Sequence, residues 1–362
     1  MKTEIVRYTP AHFEVMRRFA ERTWTRPRTA AFYRWRYEDA PEQCAFLAIH
    51  DGACLAMGCA FRRRYRIGDE IVSILETFDW YTLPGLRNAG LGVRIIQRFM
   101  AEPEPALLVG GSDDAVGFLA RLKWLRAGTA QRFILRLGAR RMAQALERRL
   151  RIPGAGARAI ASAAQPFRRR RRRRGPAGAR VLPVATVGDE VFALYEGPVA
   201  YETLPLWSPE QLRWLMLGFA GAGHFVPLYF ARGQQLLGWA LLRVYEVDGE
   251  RGAEIIELFN PGADGDLYTW MVAELACLAE GFDADYLGAS STCPAIAAAL
   301  AGNGFAGGGA IPIHLWRPGG TPLPSPMLFG SNTRDTPINP YPTHWWGETL
   351  PAAPETTPQQ TD

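Results

Sequence analysis

A chain of 362 residues with 48% apolar side chains is too long for one ordinary mixed core and suits two of medium size, which sets aside disordered and fibrous classes. The formal charge of +5 is owed to the run Arg168–Arg174; the rest of the chain is slightly acidic, so overall basicity is no argument for a nucleic-acid partner. Five cysteines, Cys44, Cys54, Cys59, Cys277 and Cys293, form no CxxC pair, which argues against a disulfide framework and against a metal centre. The charge-free stretch from Tyr286 to Trp316 is broken by Pro294, Asn303 and several glycines, so no transmembrane segment is expected. Glu4 falls where a secretion signal needs a basic region, and no apolar segment with a cleavage site follows it, which makes cytoplasmic the expected location.

In chain order, Glu4 to Tyr8 reads as a short strand, and Thr9 with Pro10 opens a helix whose apolar stripe is Phe13, Met16, Phe19 and Ala20. A second helix carries Phe32, Trp35 and Tyr37 and stops near Pro41. Strands follow at Ala45 to Ile49, through Leu55, Met57 and Cys59, and at Glu70 to Trp80, with a hairpin turn at Asp51-Gly52. Leu91 to Met100 is helical by period, with Val93, Ile96 and Phe99 on the buried side. Ala106 to Val109 is a short buried strand, Ala115 to Trp124 a helix, and Arg132 to Leu137 the strand expected to close the unit. The order is β-α-α-β-β-β-α-β-α-β.

The second half repeats this order. Arg34-Trp35-Arg36 matches Arg213-Trp214-Leu215, the turn Asp51-Gly52 matches Arg232-Gly233, Gly58 matches Gly238, and Ile74-Leu75-Glu76 resembles Ile256-Glu257-Leu258. The expected division is a first domain at 1–137, a basic, arginine-rich linker at 138–180, a second domain at 181–317 and a proline-rich tail at 318–362, which includes Trp345-Trp346. Trp35 and Trp214 are read as packing residues. The five histidines show no metal-ligand spacing, and no metal is expected.

The segment Asp79 to Gly92 leaves a strand, turns and opens a helix. Unpaired backbone N–H groups at such a helix mouth, with the positive end of the dipole behind them, suit phosphate oxygens. Gly90 and Gly92 let the backbone approach a pyrophosphate, and Arg87 adds a fixed positive charge. Arg87-x-x-Gly90-x-Gly92 after a strand, with Pro84 before it, resembles the GNAT superfamily of N-acetyltransferases, and the element order over residues 4 to 137 resembles it too.

The resemblance implies an α+β (α/β) fold of two tandem GNAT-like domains, each a mixed, mostly antiparallel sheet flanked by helices. It implies acetyl-CoA or another acyl-CoA as co-substrate, with Leu86, Arg87, Asn88, Ala89, Gly90, Leu91 and Gly92 on the pyrophosphate and Tyr81 and Thr82 beside the pantetheine. Backbone N–H groups near Tyr81 or Thr82 suit an oxyanion. Glu76 falls where some members of the family place a general base; its bland reading is a solvated strand residue or an ion-pair partner of one of Arg62 to Arg64. Leu119 stands where the family often has a tyrosine acid, so Tyr81, Ser112 or water is left for that task. The second unit has Gly262 and Gly265 but no arginine, and Asp264 and Asp266 would repel a pyrophosphate, so its cofactor binding is read as lost. The expected function is transfer of an acyl group, with acetyl the first choice, to an amine of a small molecule, sugar or peptide. The alternatives are a silent acyl-CoA-binding or scaffold protein and a tRNA-dependent aminoacyltransferase of the tandem type. In the last, Arg168 to Arg174 would hold the nucleic acid; the preferred reading of that run is a solvated linker.

Overall fold

The computed structural model describes residues 3–24, 28–137, 174–247 and 250–331, with a few further positions between 147 and 160. The arginine run as far as Arg173, and the tail beyond residue 331 with its tryptophan pair, lie outside the described residues. The first half contains β1 (Glu4–Arg7), α1 (Phe13–Thr23), α2 (Ala30–Tyr37), β2 (Gln43–His50), β3 (Ala53–Ile67), β4 (Glu70–Thr82), α3 (Leu91–Met100), β5 (Ala106–Val109), α4 (Asp113–Arg121) and β6 (Leu125–Arg136). The second half contains β7 (Ala179–Pro183), α5 (Asp189–Glu196), β8 (Thr203–Pro205), α6 (Pro209–Leu217), β9 (His224–Arg232), β10 (Gln235–Val247), β11 (Glu250–Phe259), α7 (Gly265–Gly281), β12 (Tyr286–Ser291), α8 (Pro294–Gly302) and β13 (Ala306–Trp316). Apart from β8, the two orders are the same.

Local chemistry explains the boundaries. Asp51 and Gly52 both take positive φ, +47° and +74°, the conformation that closes a two-residue hairpin between right-twisted strands. The Thr29 hydroxyl accepts from the Phe32 N–H and starts α2, and Ser208 and Gln211 cap α6 reciprocally. Gly58 is a packing glycine: a Cβ there would lie 2.6 Å from Ile95 and 3.0 Å from Phe99, so its absence lets α3 lie directly on β3. In α3 the buried side chains are Leu91, Ile95, Ile96 and Phe99. Val93, expected inside, is half-exposed, because the stripe is set by the residues that meet β2, β3 and β4.

The described strands form one sheet in the order β1-β2-β3-β4-β5-β13-β6-β12-β11-β10-β9-β7, with β8 paired to β3. It is mostly antiparallel; β4–β5 and β11–β12 pair in parallel. The strand ending at Arg136 does not close the first half on itself. β6 runs between β12 and β13, and β13 pairs with β5. The last strand of each half is therefore built into the other, because β5 keeps an edge that only β13 reaches.

On one face of the first half, α3 and Leu119 of α4 pack on Ala56, Ala60, Leu75, Ala106 and Leu108. On the other, α1 and α2 cover Met57, Cys59 and Phe78 in a core continuous with that of the second half. At the junction Trp35 stacks on Trp214 at 5.0 Å and 22°. Each indole N–H donates to the other residue's carbonyl, Trp35 Nε1 to Trp214 O at 3.1 Å and Trp214 Nε1 to Trp35 O at 2.9 Å. The packing role read from the sequence is thus a reciprocal contact between equivalent helices. The Trp35→Ala variant is expected to lose about 3–5 kcal/mol of stability. A double-mutant cycle with Trp214→Ala, measured by denaturant unfolding, is expected to show a coupling of about 1–3 kcal/mol.

Candidate active site

Strand β4 is the frame of the site. Its parallel pairing with β5 covers Leu75–Thr77 against Ala106–Leu108 and ends there. Beyond Thr77 the β5-facing edge of β4 has no strand partner among the described residues. At the same level β4 carries a bulge: Cys59 pairs with Phe78 and Met57 with Tyr81, so Asp79 and Trp80 together oppose Gly58. A bulge bends its strand and leaves main-chain groups outside the ladder. Asp79 takes φ +48°, a left-handed conformation that costs a non-glycine residue about 1–3 kcal/mol.

After β4, Pro84–Ala89 form a short 3-10 turn, and Gly90 at φ 71° and ψ 8° breaks it before α3 begins. Gly90 is the N-cap of α3, and no side chain caps that terminus. Nothing lies within 4 Å of the place a Gly90 Cβ would take. Gly92 is tighter, with Trp80 Nε1 and Thr82 Oγ1 both 3.1 Å from such a Cβ; the Trp80 indole donates to the Gly92 carbonyl at 2.9 Å and ties the helix mouth to the strand. Arg87, Asn88 and Ala89 are exposed, and among the described residues the Arg87 guanidinium has no ion-pair partner. The loop residues picked out by sequence thus sit together at an uncapped helix N-terminus with a free cation, the arrangement that receives an anion.

The equivalent helix of the second half is finished differently. The Asp264 carboxylate caps α7, accepting from the N–H groups of Asp266 at 2.9 Å and Leu267 at 3.2 Å. Asn260 Oδ1 accepts from the Gly262 N–H at 3.0 Å. Donors that an anion would need are consumed by the chain itself. The opening between β11 and β12, whose parallel pairing ends at Glu254 and Gly288, is also occupied by the chain. Gly330 bridges to Ser291, Ser331 Oγ accepts from the Ser290 N–H at 3.1 Å, and the Thr292 N–H donates to Phe329 O at 2.7 Å. A small cavity between Glu257, Ser290, Ser291 and Ser331 is what is left.

Glu76 lies on the face of β4 turned away from α3 and is 4% exposed. Its carboxylate accepts from the Tyr65 hydroxyl and lies 3.5 Å from Arg63 Nη1. Arg63 in turn stacks 4.2 Å from the centre of the Trp207 ring and donates to Leu206 O at 3.1 Å, so the pair is anchored in the second half. Burial and the neighbouring Glu76 charge push the Tyr65 hydroxyl well above its ordinary pKa, which keeps it a donor. The ion-pair partner expected among Arg62 to Arg64 is Arg63. Tyr81 is half-buried with its ring edge-on to Phe19 at 6.3 Å. Leu119 is fully buried in the apolar core. Glu76 and Thr82 oppose Phe61 and Ala56 of β3, about 17 Å of strand, so the carboxylate and the loop before α3 mark opposite ends of one stretch. The contribution of Tyr65 has no motif in the sequence.

No family model matches the sequence, and no curated protein matches it. Solved structures do. A GCN5-related N-acetyltransferase from Anabaena variabilis ATCC 29413 is 10% identical and matches over 87% of this chain and 72% of its own, with a TM-score of 0.56. The N-myristoyltransferase of Saccharomyces cerevisiae, with bound myristoyl-CoA, is 12% identical over 87% of this chain and 82% of its own, with a TM-score of 0.58. A conserved protein of unknown function from Enterococcus faecalis V583 is 10% identical over 87% and 72%, with a TM-score of 0.59. Identities this low carry the architecture alone, and that architecture is the GNAT fold.

Neutralising Glu76 takes away the carboxylate that lies 3.5 Å from the buried Arg63 guanidinium. The Glu76→Gln variant is expected to lose about 3 kcal/mol of stability, read as a lowered midpoint in denaturant unfolding.

Proposed function

We propose that this protein is an acyltransferase that takes an acyl group from coenzyme A and passes it to an amine, with one cofactor site, in the first half. The observation that carries this reading is the contrast between the two equivalent helix mouths: α3 is uncapped and faces the exposed Arg87, whereas α7 is capped by Asp264. The fold supports it at a coarser level, since N-acetyl- and N-myristoyltransferases share it and one of them holds myristoyl-CoA. The two halves are read as a duplicated unit, 1–137 and 181–317, whose second copy supports the first.

In this reading the pyrophosphate rests on the main chain of Leu86 to Gly92 and against Arg87, and the pantetheine runs along the open edge of β4 past Thr82 and Tyr81. Acetyl-CoA is the first choice of donor. The thioester carbonyl meets main-chain N–H groups of the bulged stretch that ends at Tyr81, where negative charge develops in the transition state. Glu76 is the chosen general base, oriented by the Tyr65 hydroxyl, on the face from which an acceptor amine approaches. No side chain is assigned to protonate the thiolate, because Leu119 is an apolar core residue. Holding both substrates in line supplies rate without such an acid.

A second reading, a silent acyl-CoA-binding module, is favoured by that same Leu119 and by the enclosure of Glu76 in an ion pair. Thermal shift with coenzyme A tests the site, and release of free thiol from acetyl-CoA with a panel of amines tests the chemistry. Coenzyme A is expected to raise the melting temperature of the protein, and Arg87→Ala to weaken binding about tenfold, the equivalent of 1.4 kcal/mol. Stabilisation without thiol release across the panel would decide for the binding module; no stabilisation at millimolar coenzyme A would end both readings.

A further inference from the structure

The bulge in β4 is held from outside the strand. Asp79 Oδ2 accepts three hydrogen bonds, from Arg36 Nε at 2.9 Å, Arg36 Nη2 at 2.8 Å and the Tyr37 hydroxyl at 2.6 Å. All three donors come from the last turn of α2. Arg36 is fully buried, and its guanidinium lies 5.0 Å from the Phe78 ring, 5.1 Å from that of Trp24 and 5.7 Å from that of Tyr37. A buried arginine fixed by aromatic faces on several sides presents its fork in one orientation. Burial and the nearby Asp79 charge hold the Tyr37 hydroxyl well above its usual pKa, so it stays a donor. The helix is itself fixed to the second half, because Trp35 is the residue before Arg36 and stacks on Trp214.

A surface ion pair would need no such enclosure, and a bulge alone needs no anchor of this kind. What the anchor sets is the left-handed turn at Asp79, φ +48°, which decides how the peptide groups between Phe78 and Tyr81 are aimed. The same stretch borders the edge of β4 that β5 leaves uncovered beyond Thr77. A site that binds a carbonyl oxygen by main-chain donors requires their directions to be fixed before the ligand arrives.

We infer that Arg36, Tyr37 and Asp79 form a clamp that positions the β4 bulge for the acyl carbonyl, making all three positioning residues for the transfer reaction. The inference rests on the reading of β4 as the acyl-CoA path. Neither Arg36 nor Tyr37 touches the ligand in it, so loss of the clamp affects recognition of the acyl group and spares the grip on the phosphates, which belongs to the α3 mouth. The clamp also makes α2, and through it the second half, part of the acyl site.

The test compares dissociation constants for acetyl-CoA and for coenzyme A by titration calorimetry in wild type, Tyr37→Phe and Arg36→Lys, with circular dichroism as the check of folding. Wild type is expected to prefer acetyl-CoA by about tenfold, and both variants to bring that ratio close to one while the coenzyme A constant stays within about twofold. In parallel, the carbonyl stretch of carbon-13-labelled acetyl-CoA is expected to move to lower frequency on wild type and to return toward its solution position on Tyr37→Phe, a signature that loss of general stability does not produce. Should Arg36→Lys fail to fold, Tyr37→Phe decides the matter, since it removes one hydroxyl. Tight coenzyme A binding with the same acetyl preference and the same carbonyl band in a folded variant overturns the clamp alone. A wild-type protein that binds neither compound overturns the acyl-CoA reading and the clamp with it.

Discussion

The exchange of final strands between the two halves is the constraint on which the rest of the molecule depends. β5 is a short strand whose second edge would be left with unpaired N–H and C=O groups, and buried main-chain groups must find partners. β13 supplies them from the other half, while β6 is carried across to β12. The sheet therefore has no seam at which the halves can part. Residues of the second half line the faces of the first: Trp207 beneath Arg63, Trp214 on Trp35, and Phe329 edge-on to Tyr65 at 5.8 Å.

Within this shared framework the halves differ at the opening where a parallel strand pair ends and a helix begins. In the first half the helix mouth has glycine at the cap and an arginine with no ion-pair partner among the described residues. In the second, Asp264 fills the helix mouth and the segment from Phe329 to Ser331 pairs along the end of β12. A carboxylate cap stabilises a helix by about 0.5–2 kcal/mol, whereas an uncapped mouth gives up that stabilisation and keeps its donors for a ligand. The asymmetry has a thermodynamic sense: the capped opening has the stabilisation that the uncapped one lacks.

The same trade is visible along β4. Asp79 is held in a backbone conformation that glycine would adopt at less strain, and a buried arginine and tyrosine stabilise it there. Glu76, three residues earlier, is enclosed by Tyr65 and Arg63. The strand thus carries one buried acidic group, Glu76, and one largely enclosed, Asp79, each paired with an arginine and a tyrosine, between the sheet centre and the loop before α3. Such concentrations of paired charge are expensive in a core and are retained where orientation matters more than stability.

By itself the sequence determined everything that depends on neighbours in the chain. The order of strands and helices followed from apolar period, the Asp51-Gly52 turn from its residue types, and the open strand-to-helix loop from Arg87, Gly90 and Gly92. The correspondence of Trp35 with Trp214 was visible as a repeat. What only the tertiary structure decided concerns groups far apart in sequence. The exchange of β6 and β13, the choice of Arg63 among three arginines as a partner of Glu76, the hold of Arg36 and Tyr37 on Asp79, and the pairing of residues 329–331 with the end of β12 all join groups that are not neighbours in the chain. No local preference encodes such contacts: hydrogen-bond partners for a strand edge or a buried carboxylate are selected by which donors the folded chain brings within about 3 Å, and that is settled only when the two halves pack.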